Sequence, residues 1–192
     1  MNYVIYPNLP SPEFINEHAI ESMHQQRDRY CQRQNDAVAN AVCTRHQLSA
    51  EAVTWINQYI ASDYSNLGFN CHGPGTAIPH TDRTRNWTLM WLVDTGGDDV
   101  ETVFWQEQGH PVVREPDCYP ASYDNLIELY RTVIAPGQWV LLNSHVLHSI
   151  ENMTSVRKSL QVGFWQNDKR VRSIATHMFS APHDQVSPAE LR

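Results

Sequence analysis

The period of the apolar positions changes about a third of the way along the chain. In the first part, Ser11-Pro12-Glu13 has the form of a helix start: a capping hydroxyl, a proline at the first helical position and an acid in the first turn. It predicts a helix through about Ser22. Ser49 begins a second helix, since Ala52, Trp55, Ile56 and Ile60 recur at near-helical spacing through about Ala61. The stretch between, up to Ala41, is rich in Gln, Arg and Asp and shows no clear period. The front of the chain, residues 1–65, therefore reads as mainly helical.

From about Leu67 the pattern becomes that of strands. Arg85–Val93, Asp99–Gln106, Leu126–Ile134, Gln138–Leu142 and Val156–Trp165 are short runs rich in Val, Ile, Thr, Trp and Phe. Turn signals separate them: Gly73-Pro74-Gly75, Gly96-Gly97-Asp98-Asp99, Gln108-Gly109-His110-Pro111 and Ala135-Pro136-Gly137. Many closely spaced strands without helices between them indicate an antiparallel sandwich or barrel, with the front helices packed on one outer face. The core would span about 66–166. In the tail, 167–192, Ser187-Pro188-Ala189-Glu190 has the form of a capping box for a last helical turn. The 192 residues read as one domain without repeats, low-complexity tracts or a linker.

Composition narrows the setting. No apolar run approaches the roughly 20 residues of a membrane span, and the N-terminus lacks the basic and long apolar regions of a signal peptide. The four cysteines (Cys31, Cys43, Cys71, Cys118) are scattered and read as free thiols of a reducing compartment, so a cytoplasmic location is expected. A formal charge of −7 argues against nucleic acid and anionic membranes as partners.

The candidate chemistry lies in the β-rich part. His80 and Asp82 are two residues apart, so on an extended segment both side chains project from one face while Thr81 faces away. His148 follows the strand Gln138–Leu142 and can complete a set of two imidazoles and one carboxylate. Such a set binds one octahedral face of a divalent ion and leaves other positions open. His145 competes for this role, but in an extended segment it and His148 point to opposite faces. The spacing to Arg157 favours His148, with His145 as a loop histidine. Arg157, Ser159, Gln161 and Gly163 share one strand face, whereas Leu160, Val162 and Phe164 mark the other as apolar. An arginine on an inward polar face suits an anionic ligand, because a guanidinium grips a carboxylate through two parallel hydrogen bonds.

His80-Thr81-Asp82, then His148, then Arg157-Lys158-Ser159 resembles the HxD…H…RxS pattern of the Fe(II)/2-oxoglutarate-dependent dioxygenases. The stretch Arg85–Phe104 is similar to the strand–turn–strand after HxD in small prolyl-hydroxylase-like members, and Ala135-Pro136-Gly137-Gln138 to the turn before the distal histidine. The resemblance covers about residues 67–165. It implies a double-stranded β-helix, a cupin-like jelly roll, in which His80, Asp82 and His148 hold Fe(II). Arg157, helped by Ser159, would bind the distal carboxylate of 2-oxoglutarate. The implied reaction consumes 2-oxoglutarate and O2, releases succinate and CO2 and hydroxylates a small molecule or peptidyl side chain. The segment Glu151–Val156 between His148 and Arg157 departs slightly from the pattern in carrying no glycine. A non-catalytic jelly-roll or cupin module that binds a metal or another ligand is the alternative of a different class.

Other residues carry weaker signals. Asn70 could bond a cosubstrate oxygen or be a buried amide satisfied by backbone. Arg83 and Arg85 read as solvated rim arginines or as groups that orient an acidic substrate. Trp87, Trp91, Trp105, Trp139 and Trp165 read mostly as core, with one or two as walls of the cavity. Lys169-Arg170-Val171-Arg172 reads as a solvated basic face.

Overall fold

The computed structural model describes residues 3–12, 20–28, 43–82, 85–109 and 123–165. Two antiparallel sheets form a β-sandwich, with one helix among the described residues. The strands are β1 (Val4–Ile5), β2 (Ile20–Asp28), β3 (Cys43–Leu48), β4 (Asn66–His72), β5 (Gly75–His80), β6 (Trp87–Asp94), β7 (Glu101–Glu107), β8 (Leu126–Val133), β9 (Trp139–Leu142), β10 (His148–Met153) and β11 (Arg157–Phe164). The larger sheet has the order β1-β9-β6-β11-β4-β3-β2 and the smaller one β5-β10-β7-β8.

The five strand runs of the sequence all become strands, because each has a face to bury. β6 and β9 lie inside the larger sheet and are covered on both sides, so their runs are apolar almost throughout. Alternation divides the core between two layers. Met90, Leu92, Val140 and Leu142 meet Phe104 and Ile134 in the space between the sheets. Leu89, Trp91, Trp139 and Leu141 point the other way and pack with Leu160, Val162, Phe164 and the helix residues Ala52, Ile56 and Ile60.

That helix, α1 (Ala50–Tyr59), forms where its spacing predicts. Ser49 caps it, its side chain accepting a hydrogen bond from the Ala52 N–H, and Glu51 lies in the first turn. Complete burial of Ile56 contributes roughly 1.5–3 kcal/mol to holding it on the sheet.

Among the described residues the front is not mainly helical. Residues 13–19 of the first expected helix lie outside the described residues, but Ser11 and Pro12 are not helical and Ile20 onward is strand. β2 pairs antiparallel with β3, which itself extends the larger sheet through β4. Backbone pairing along a ready sheet edge outweighs a local start signal of about a kilocalorie per mole. The tail beyond Trp165, with its expected helical turn and basic cluster, lies outside the described residues. No described helix is long and apolar enough to cross a membrane. Cys43 is buried and Cys71 half-buried. Trp91, Trp105 and Trp139 are core residues, whereas Trp165 is exposed.

Candidate metal centre and anion pocket

His80 ends β5 and His148 begins β10, and the antiparallel ladder sets the two residues directly opposite each other. Their rings lie 4.5 Å apart between centroids. Each imidazole is aimed by a carbonyl two residues before it: His80 Nδ1 lies 2.8 Å from the Ile78 carbonyl and His148 Nδ1 2.9 Å from that of Val146. A carbonyl only accepts, so both Nδ1 atoms carry a proton, which leaves Nε2 as the ligating atom of each ring. Asp82 lies just beyond the end of β5, where its N–H donates to the Ser144 carbonyl at 3.0 Å. The three side chains bring one ligating atom each within 4.8 Å of one another. That is the set expected from the sequence.

The carboxylate is held as firmly as the rings. Arg85 donates its Nε–H to Asp82 Oδ2 at 2.6 Å, and the Thr88 hydroxyl stands 3.3 Å from the same oxygen. The side chains of Arg85 and Asp82 are 8% and 7% exposed, so this ion pair is buried. Arg85 continues into a network: Nη1 donates to Asn66 Oδ1 and Nη2 to Gln161 Oε1, which also accepts from Asn70 Nδ2. The rim reading of Arg85 is thus corrected; a buried guanidinium must pair, and its carboxylate is that of Asp82, a candidate metal ligand. Arg83 lies outside the described residues. Gly163 makes the arrangement possible, since a Cβ there would sit 2.7 Å from Arg85 Cδ and collide with Asn66.

Burial raises the Asp82 carboxyl, but Arg85, His148 and His80 lower it more, leaving it well below the usual carboxylate range. Burial, followed by the neighbouring His80, takes His148 down to about 4. Both groups are therefore in ligand-competent form near neutrality: an anionic carboxylate and a neutral imidazole. His145, the competitor, is exposed in the connection, with its N–H bonded to the Asn86 carbonyl and its ring Nδ1 3.1 Å from Asn86 Nδ2.

Arg157 begins β11 and lines the same cavity as the three ligands. It is 1% exposed, and among the described residues its side chain makes one long bond, from Nη1 to the Thr95 carbonyl at 3.5 Å. Among the described residues no carboxylate pairs with it. Burial pushes its pKa down to about 10, so it remains a cation. Gly96, at φ 82°, lets the β6–β7 turn close over this residue: a Cβ there would sit 2.9 Å from Arg157 Cβ. Asn152, at φ 64°, takes the left-handed conformation in the connection that lacks a glycine.

Ser159 is buried on the Arg157 face, and its hydroxyl accepts from Gln161 Nε2 at 3.1 Å; it does not line the cavity. Asn70, Gln161, Thr88, Ser144 and His72 do. Gln161 was marked by the inward polar face of its strand. Asn70 and His72 share a face by the same period-2 rule, a signal that the sequence carried for His72 without its being read. Nothing local marks Thr88 or Ser144, which the fold brings together at 3.1 Å between hydroxyls.

No family model matches this chain, and no curated protein matches it. Among solved structures it is similar to the X-ray structure of E. coli ycfD at 12% identity, with a TM-score of 0.42. The match covers 100% of this chain and 60% of that one, so the chain spans three-fifths of that neighbour's length.

Proposed function

We propose that the chain is an Fe(II)- and 2-oxoglutarate-dependent oxygenase that hydroxylates a small molecule or peptidyl side chain. The observation that carries this reading is Arg157, a cation 1% exposed in the cavity of the His-Asp-His cluster with no described carboxylate beside it. A buried charge without a partner costs several kcal/mol. A metal-binding module has no need of it, whereas a diacid cosubstrate supplies the missing anion.

The residues fit both groups. Two imidazole Nε2 atoms and one carboxylate suit Fe(II) and leave coordination positions open. When bound, Fe(II) and 2-oxoglutarate supply the oxidising chemistry: one oxygen atom of O2 goes to the substrate C–H as hydroxyl, the other to succinate, with loss of CO2. The protein's share is to hold and shape the site. Ile78 and Val146 fix the ring orientations, Arg85 fixes the carboxylate, and Arg157 offers the fork of N–H groups that a distal carboxylate needs. Ser159 contributes through Gln161, whose carboxamide ties β4 and Arg85 to the site.

The finer fold reading is that β4–β11 form a double-stranded β-helix. Its support is the strand order, β9-β6-β11-β4 facing β5-β10-β7-β8, with the chain crossing between sheets at nearly every connection. The functional test is calorimetric titration of 2-oxoglutarate into the metal-loaded protein without oxygen. Admission of oxygen, with succinate measured over a screen of amino acids, peptides and small acids, follows. Binding that disappears in Asp82→Ala, with succinate formation in the wild type, is expected. Wild-type protein that holds the metal but neither binds nor consumes 2-oxoglutarate would refute the proposal.

A further inference from the structure

His72 ends β4 directly opposite Arg157 on β11, and the same residue faces Cys43 on β3. In-register antiparallel neighbours carry their side chains on one sheet face within contact distance. Both His72 and Arg157 line the cavity. The Nδ1 atom of His72 is buried and has no hydrogen-bond partner among the described residues. Its two counterparts at the metal centre, His80 and His148, each engage Nδ1 with a backbone carbonyl. A buried ring nitrogen left unpaired is uncommon, because its desolvation is not offset. Ser159, the hydroxyl otherwise expected beside the arginine, does not line the cavity.

We propose that His72 is the second recognition group for the carboxylate that Arg157 binds, donating its Nδ1–H to one oxygen while the guanidinium takes the rest. The inference rests on the oxygenase reading above and deepens it by assigning the anchor of the diacid's distal end. Burial and the neighbouring Arg157 hold the imidazole neutral, with its pKa down to about 3. A neutral donor suits this place, since a second full charge beside Arg157 would repel it in the absence of ligand. The pair would distinguish a 2-keto diacid from a 2-keto monoacid of the same length. Removing a donor that leaves a buried carboxylate oxygen unpaired weakens binding by roughly ten- to hundredfold.

The test uses the full chain loaded with Mn(II) in the absence of oxygen, titrated calorimetrically with 2-oxoglutarate and with 2-oxopentanoate, which lacks the distal carboxylate. His72→Ala is expected to weaken 2-oxoglutarate by that factor while Mn(II) and 2-oxopentanoate affinities stay within about twofold. His72→Asn, whose amide nitrogen falls near the Nδ1 position, is expected to restore most of the loss and provides a fold-preserving second variant. Unchanged 2-oxoglutarate affinity in His72→Ala would overturn the proposal. Equal weakening of both keto acids, or of Mn(II), would also overturn it, by showing a structural role. Wild-type protein that holds Mn(II) but does not bind 2-oxoglutarate would instead sink the oxygenase reading, and this assignment with it.

Discussion

The cavity has two ends that are built on opposite principles. At the His-Asp-His end each side chain is fixed by protein partners: Ile78 and Val146 carbonyls on the rings, Arg85 and Thr88 on the carboxylate. At the other end a buried guanidinium makes one long bond to a carbonyl, and the His72 Nδ1 opposite makes none with a described residue. The first end is saturated and so holds a geometry without help from a ligand. The second carries unmet hydrogen-bonding capacity, which destabilises the free protein and becomes useful only when an anion enters. Two buried arginines in one cavity thus have different relations to stability.

That difference can be broken most directly by substituting methionine for each arginine. Arg85→Met leaves Asp82 as a buried carboxylate without its cation, and a loss of about 3–5 kcal/mol is expected. Arg157→Met removes a charge that has no described carboxylate partner and replaces it with an apolar chain of comparable length. Stability without ligand should stay unchanged or rise, while binding of the diacid is lost. Urea unfolding of the two variants without metal or ligand decides the matter. Equal losses would erase the contrast between the ends.

The pH dependence of the free protein sharpens the picture of the saturated end. The His148 imidazole is lowered by burial from the ordinary 6.5 of an unfolded chain to about 4 in the fold. Between these values the unfolded state binds more protons, so this contribution is full above pH 6.5 and is lost as pH falls towards 4. A shift of this size corresponds to roughly 3 kcal/mol. His148→Gln should flatten the fall in urea midpoint between pH 7 and 4.5. An unchanged slope would show that the imidazole does not carry it.

A smaller effect is expected from Gly163. It lies on the inward face of β11, where Arg85 Cδ and Asn66 occupy the space of a Cβ. Gly163→Ala should cost about 1–3 kcal/mol, as overpacking does. It should also weaken Mn(II) binding, because Arg85 must move from Asp82. Lost stability with unchanged metal affinity would show that Arg85 is not the element that fixes the carboxylate.

The saturated end was the more legible of the two in the sequence. His80, Asp82 and His148 could be read because strand period and order place them; alternation lets only one of His145 and His148 ligate, and the spacing to Arg157 favoured His148. Arg157 and the inward face of β11 were legible for the same reason. Arg85 was not: three residues from Asp82 in a polar run, it has no local sign of burial, and only Gly163, seventy-eight positions later, makes room for it. The front of the chain misled for a related reason. Ser49 capped a helix whose apolar stripe had a sheet to cover, whereas Ser11-Pro12-Glu13 offered a start signal with no comparable stripe, and the described part beyond it pairs as a strand with β3. Local signals held where packing agreed with them.

His145 tests where the saturated end stops. It lies three residues from His148, yet it is exposed and its ring meets Asn86, itself partly exposed, in the connection between β9 and β10. The backbone bond from its N–H to the Asn86 carbonyl does not depend on the side chain. His145→Ala should therefore change stability by no more than about 0.5 kcal/mol, as surface substitutions do. Mn(II) affinity should be unaltered, against a loss of at least roughly tenfold for His148→Ala. Calorimetric Mn(II) titration of the two variants separates them. A larger loss in His145→Ala would exchange the two histidines as ligands and leave Asp82, Arg85 and Arg157 in the roles argued for them.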